Sequence, residues 1–282
     1  MPANLPNESR HINCNRKVIK SMIQLTPTDL SIATLLIVAL AITTSLLQLN
    51  IAKSILISAS RTIIQLTLVG YVLKFIFTEA SLLLIGCMSL VMLAIAGYES
   101  SSRQHRKFHG YWGFTLGSLS MFVSSFSLTF FTLITIINTD PWYAPQYSIP
   151  LLGMMLGNTL NGISLSLDRL TQNTWQQKDV IENRLMMGHT WQDAIKNIQV
   201  DSMKSGMTPI INSMSVAGIV SLPGMMTGQI LAGANPLDAV KYQILIMLLI
   251  TAGTGFGTIT AVWFGSKRLF DERQRLRLDR LR

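Results

Sequence analysis

The side chains of this sequence that could do chemistry are few, and most lie inside apolar runs. Arg61 and Gln65 stand four residues apart in "RTIIQLTLVGYVLKFIF", so a helix places both on one face. A guanidinium in hydrocarbon costs at least about 2.5–3.5 kcal/mol. Three roles are open to Arg61: snorkelling to the headgroups, lining a path where it could clamp an anionic substrate, or pairing with a carbonyl at a helix break. Asn158 and Asn161 lie next to the GxxxG of Gly153 and Gly157. Small residues let helices approach and amides bond across the gap, so this pair reads as interhelical glue or as path lining. Similar spacing recurs at Gly113/Gly117 and Gly224/Gly228. Pro223 and Gly224, in "SLPGMMTGQILAG", must interrupt a straight helix and free one or two carbonyls. Inside a membrane such carbonyls need a protein neighbour or a water-filled cavity. Pro223 and Gly224 are therefore candidates for the translocation path or a hinge.

Other combinations carry less. Met154/Met155 and Met225/Met226 offer thioethers, which suit Cu(I) better than iron and otherwise fill gaps in packed cores. His11, His105, His109 and His189 all lie outside the apolar runs; His105 and His109, four apart, make a thin site without a carboxylate. No metal site is assigned, and no cofactor is implied. No Asp or Glu lies deep in an apolar run, and Glu99 stands only at the edge of one. A bare cation seeks carboxylate or carbonyl oxygens. A chelate, an anionic conjugate, or passage along carbonyls at the Pro223 break therefore fits better. The sequence lacks paired carboxylates, a metal-spaced His/Cys set and an activated nucleophile, which argues against an enzyme. It also lacks the buried titratable residues that an ion-coupled secondary transporter needs.

The elements that must position these residues follow from composition. Of 282 residues, 49% are hydrophobic and 13% charged, against roughly 25% charged in soluble domains. The apolar residues collect in runs long enough to cross a bilayer. The fold expected is an all-α integral membrane protein with about seven transmembrane helices, a cytoplasmic coupling-helix loop and a broken sixth span. The spans run Leu30–Leu49, Ile55–Phe77, Ala80–Gly97, Gly113–Ile137, Ser148–Leu167, Met207–Gly233 and Ala239–Gly265. A polar N-terminal extension (1–29), a transmembrane domain (30–265) with a coupling loop (168–206), and a basic tail (266–282) complete the layout. The extension lacks the short apolar core of a cleavable signal peptide. Cys14 and Cys87 cannot make a disulfide framework.

The net charge of +9 sits mostly in loops and tails, so it reports topology rather than nucleic-acid binding. The tail "SKRLFDERQRLRLDRLR" carries seven Lys/Arg and belongs in the cytoplasm, as does the loop with Arg103, Arg106 and Lys107. The loop "TDPWYAPQYS" has neither Lys nor Arg; its Trp142, Tyr143 and Tyr147 suit the opposite interface. An odd number of spans then places the N-terminus outside, against Arg10, Arg16, Lys17 and Lys20. A miscounted span, dominance of later segments, or a start at Met22 would each remove the conflict.

The stretch "ENRLMMGHTWQDAIKNIQV" predicts two short helices broken near Gly188. Trp191, Ala194, Ile195 and Ile198 fall on one face, with Asp193, Lys196 and Asn197 away from it. Such a helix lies on a membrane surface or docks into a groove of a soluble partner. Glu182 precedes Gly188 by six residues and Ile198 follows it by ten. This spacing resembles the cytoplasmic loop of importer-type ABC permeases, although Asn183 and Arg184 replace its Ala pair and Val200-Asp201 its Leu-Pro. The resemblance implies that Glu182, Gly188, Trp191, Ile195 and Ile198 couple the protein to an ATPase, the apolar face filling a cleft in that subunit.

Longer runs carry a wider resemblance. "RTIIQLTLVGYVLKFIF", "IPLLGMMLGN" and "GIVSLPGMMTGQILAGANPLDAVKYQ" are similar to FetB-type permeases, the iron-export ABC transporter family, and the similarity extends from about Leu30 to Phe270. It implies a multi-pass subunit of the plasma or inner membrane with a cytoplasmic C-terminus. It also implies a permease homodimer and a separate ATP-binding subunit. No GxxxxGK[ST] occurs in the chain, which fits a motor carried elsewhere. Plant proteins resembling the family are tied to nucleotide-sugar export and aluminium tolerance, so a nucleotide sugar or metal chelate stands beside iron as substrate.

Overall fold

In the computed structural model, residues 26–79 and 81–281 are described. The expectations placed on the first 25 residues, including His11, Cys14, the basic side chains there and the Met22 start, lie outside them. Among the described residues no strand forms. The chain runs through α1 (Pro27–Leu46), α2 (Ala52–Glu79), α3 (Leu82–Ser102), α4 (Trp112–Met121), α5 (Ser127–Thr132), α6 (Pro145–Gln176), α7 (Lys178–Met186), α8 (Trp191–Val216), α9 (Gly224–Leu231) and α10 (Pro236–Leu269). Two π-helical turns, Phe122–Phe126 and Leu133–Ile137, join α4 to α5 and extend it. The protein is an all-α membrane protein. Among the described residues, α1, α2, α3, the Trp112–Ile137 segment and α10 are long and apolar enough to cross a bilayer. Hydroxyls within them turn back on their own helix: Thr34 donates to the Leu30 carbonyl at 2.6 Å and Thr67 to the Ile63 carbonyl at 2.8 Å. This satisfies a polar group that lipid cannot.

The chain divides into two compact units. Of the described residues, the first comprises 26–71 and 224–240. Here α1 opens on a reciprocal cap, with the Thr26 amide donating to Asp29 Oδ2 at 2.9 Å and the Thr26 hydroxyl to the same oxygen at 2.7 Å. Ala41 and Thr44 are the buried residues of α1, while Leu35, Leu36 and Ile42 stay exposed. A surface of that kind is stable against acyl chains.

Of the described residues, the second unit comprises 72–79, 81–223 and 241–281. Its central helix is α6, whose Leu152, Leu156, Leu160, Ile163, Leu167 and Leu170 fall at helical spacing and are all buried. α6 packs on α3, α4 and α8. A close backbone crossing joins α6 to α8 at two single glycines. A Cβ on Gly206 would lie 2.6 Å from the Gly162 carbonyl oxygen and 2.8 Å from Ser166 Cβ. Only glycine permits that approach. The Gly153/Gly157 pair does not make it, since a Cβ on Gly157 would meet nothing within 4 Å.

Two boundaries differ from the sequence reading. The segment from 168 to 206 is mostly helical: α6 runs on to Gln176, α7 follows, and α8 begins at Trp191 and continues unbroken to Val216. The amphipathic helix and the start of the expected sixth span are one element. The charged residues there had marked a chain leaving the membrane, but charge does not end a helix. The break in the sixth span comes earlier than Pro223. α8 stops at Val216, and α9 starts at Gly224. Between them the Val216 carbonyl accepts from Val220 at 3.0 Å and from Ser221 at 3.3 Å, and Gly218 turns the chain at φ +84°. Pro223 thus stands before a helix rather than inside one.

Candidate functional site

The α7–α8 hairpin is built by local chemistry. Met187 closes α7 and Gly188 follows at φ +89°, a left-handed position that a side chain strains. The Gly188 amide donates to the Leu185 carbonyl at 3.0 Å and the His189 amide to the Arg184 carbonyl at 3.2 Å. This is the paired closure that glycine-terminated helices use. Thr190 then starts α8, its hydroxyl accepting from the Asp193 amide at 3.3 Å and donating to the Asp193 carboxylate at 2.7 Å. Arg184 reaches across to the Ala194 carbonyl at 3.1 Å and ties the two helices together.

The face expected to meet a partner is turned inward. Ile195 is 0% exposed and Ile198 4%, both within the main core of the second unit together with Ala194. Trp191 is half-buried and stacks at 5.5 Å on Phe270, just past the end of α10. These side chains fill the protein's own interior. The apolar period was real, but intramolecular packing covers it. What the hairpin leaves outside is its tip: Glu182, Gly188 and His189 are exposed, Met186 is 77% exposed and Met187 70%.

The tail is part of the same structure. The Gln274 side-chain oxygen accepts from the Trp191 amide at 3.0 Å, an orphan donor of the first turn of α8. Arg280 donates to the Arg268 carbonyl at 2.7 Å and the Phe270 carbonyl at 3.2 Å, and the His109 amide donates to the Arg280 carbonyl at 2.8 Å. The Arg275 amide donates to Asp271 and holds its carboxyl below the usual range. The Arg277 fork, with both contacts at 2.8 Å, draws the Asp279 carboxyl down to about 2. A depressed carboxylate supports its pairing above the usual carboxylate range and loses it as pH falls toward that lowered value. The tail therefore keeps one charge pattern throughout the neutral range. Gln274→Ala should leave the protein folded while speeding hydrogen exchange at the Trp191 amide about fivefold, the scale of one lost cap. Unchanged exchange there would show that the tail does not hold the hairpin.

The path candidates divide between the two units. Arg61 and Gln65 lie on the exposed side of α2 and, with Gly224, belong to the first unit. Asn158, Asn161 and Pro223 belong to the second. The Asn158 amide donates to the Met154 carbonyl of its own helix at 2.9 Å. Asn161 bridges helices, accepting from Arg103 Nη1 at 2.9 Å, and Arg103 also meets Glu99 at 3.5 Å. Asp168 holds the same corner by accepting from the His105 amide at 2.7 Å. Sequence reasoning missed Arg103 as the partner of Asn161, and Gln274 and Phe270 as partners of Trp191. The basic composition of the tail hid its folding role. Among the described residues no group of three or more His, Cys, Asp and Glu could hold a metal ion.

Residues 27–270 match the UPF0014 family, described as an uncharacterised protein family. The chain belongs to the UPF0014 family. The match opens at the first residue of α1 and closes one residue past α10. This UPF0014 protein is 37% identical over 228 residues to "UPF0014 membrane protein slr1647" of Synechocystis sp., covering 81% of this chain and 87% of that one. It is 31% identical over 265 residues to "Probable iron export permease protein FetB" of Escherichia coli, covering 92% of this chain and 97% of that one. It is also 31% identical over 232 residues to "Protein ALUMINUM SENSITIVE 3" of Arabidopsis thaliana, covering 82% and 83%. No solved structure matches. The UPF0014 protein is thus a membrane protein related to all three over most of its length.

Proposed function

We propose that this chain is the membrane-spanning subunit of an ABC exporter for iron or an iron-related substrate, driven by ATP hydrolysed on a separate subunit. The observation that carries the proposal is the likeness to FetB over 97% of that protein's length. In this reading the permease works as a homodimer in the plasma or inner membrane, with its C-terminus in the cytoplasm. It hydrolyses nothing itself. The name of the Arabidopsis relative points to aluminium, so a metal chelate remains within the substrate class.

The α7–α8 tip is the coupling element of this proposal. Met186 and Met187 supply flexible apolar contact and Glu182 a charge beside them. Ile195 and Ile198 act behind the tip, transmitting its movement to α6 through the core. The test is co-expression with a candidate ABC ATP-binding subunit from the same organism. Met186→Asp with Met187→Asp should lower recovery of that subunit about tenfold, the scale of losing one interface anchor, while the melting of the isolated permease is unchanged. Undiminished recovery would remove the tip as the docking site. Absence of ATP-dependent efflux from iron-loaded vesicles containing both wild-type subunits would overturn the transport reading.

A further inference from the structure

Where α10 ends, it meets the start of α4, and the tail folds over the junction. The result is a cavity of about 670 Å³ whose lining is both basic and apolar. Five basic side chains line it against two acidic ones, and Asp271 of the latter is engaged by Arg275 at 3.0 Å. Lys267, Arg268 and Arg280 line it together with the apolar Leu116, Leu119 and Phe264. Trp112 lines it too, with the Arg268 guanidinium 4.1 Å over its ring, and Trp112 and Arg268 also line an adjoining pocket. α4 and α10 both belong to segments long and apolar enough to cross a bilayer; the ends of such segments meet the bilayer interface, where an indole and basic side chains are at home.

We infer that this cavity is a binding site for an anionic phospholipid. Its phosphodiester headgroup would be held by Lys267, Arg268 and Arg280, with the first part of an acyl chain against Leu116, Leu119 and Phe264. Guanidinium groups recognise phosphate oxygens through directed charge-assisted bonds. A free phosphate would use the basic lining and leave the apolar lining unused; a phospholipid uses both. The Arg280 backbone carbonyl is bonded to the His109 amide and its guanidinium to the Arg268 and Phe270 carbonyls. Headgroup binding therefore grips the residue that fastens the tail, and so stabilises the tail that caps α8. The site belongs to the membrane end that carries the tail, on whichever side of the bilayer that end lies.

The experiment is native mass spectrometry of the purified permease with phosphatidylglycerol or phosphatidylcholine added to the detergent. The wild type should retain phosphatidylglycerol in preference. Lys267→Gln with Arg268→Gln should weaken that retention about thirtyfold, from two interfacial charges. Leu119→Trp, which crowds the apolar lining and leaves the cations in place, should weaken it as well. Millimolar inorganic phosphate should not displace the lipid. Equal retention of both lipids, retention unaffected by either variant, or displacement by phosphate would each overturn the proposal. A tail-dependent melting temperature that rises with phosphatidylglycerol in the wild type but not in the double variant would support it independently of mass spectrometry.

Discussion

Ile195→Ala should destabilise the isolated permease by about 3 kcal/mol, with no ATP-binding subunit present. Ile195 is fully buried, in a cluster that includes Ile181, Leu167, Leu269 and Phe270. Truncation removes three carbon atoms and leaves a cavity that the anchored ends of α7 and α8 cannot close. A side chain that served only to fill a groove in another protein would be exposed in the isolated permease, and its loss would leave stability unchanged. The two possibilities give opposite results in one denaturation series in detergent. Met186→Asp with Met187→Asp supplies the converse: little change in the stability of the isolated permease and a large change in partner recovery. If Ile195→Ala melts with the wild type, the inward orientation of this face is wrong.

Gly206→Leu should prevent assembly of the second unit, costing roughly 3 kcal/mol or more by forced overpacking. The obstacle is backbone. A Cβ there would stand 2.6 Å from the Gly162 carbonyl, which cannot rotate away as a flexible side chain can. α10 closes the other side, with Thr258 Cγ2 3.0 Å from the same point. α6 and α8 would have to separate along their length, exposing Ser166 and Ser202, both fully buried. Gly157→Ala is the control: nothing stands within 4 Å, and alanine is the better helix former. Size-exclusion profiles and thermal melting in detergent should show a lost monodisperse peak for Gly206→Leu and a wild-type peak for Gly157→Ala. A monodisperse Gly206→Leu with wild-type melting would show that the crossing is looser than the structure has it.

The comparison of these glycines shows how far a linear pattern reaches. The spacing of Gly153 and Gly157 fits a helix-dimer motif, yet the close approach uses Gly162 and Gly206, one from each of two helices, which no local motif can pair. Likewise Asn161 was recognisable as a side chain that needs a partner in the membrane, but its donor is Arg103, 58 residues away. The amide of Trp191 was an orphan by position, and its acceptor lies 83 residues on.

The sequence by itself determined the solvent, the secondary structure and the local turns. Long apolar runs require a bilayer and, inside it, helices, because only a helix satisfies its own backbone. Gly188 and the Thr190 cap act within a few residues, so their turn was readable from composition. The region around Pro223 had to be irregular for the same local reason, though its start at Val216 depended on how the preceding carbonyls found partners. Only the tertiary structure decided what covers each face. A period of 3.6 residues states that one side of α8 avoids water, and it holds equally for a partner's groove, a lipid surface or the chain's own core. The choice fell to α6, α10 and the folded tail, whose approach to Ile195 depends on contacts between residues far apart in the chain, and such contacts leave no trace in spacing.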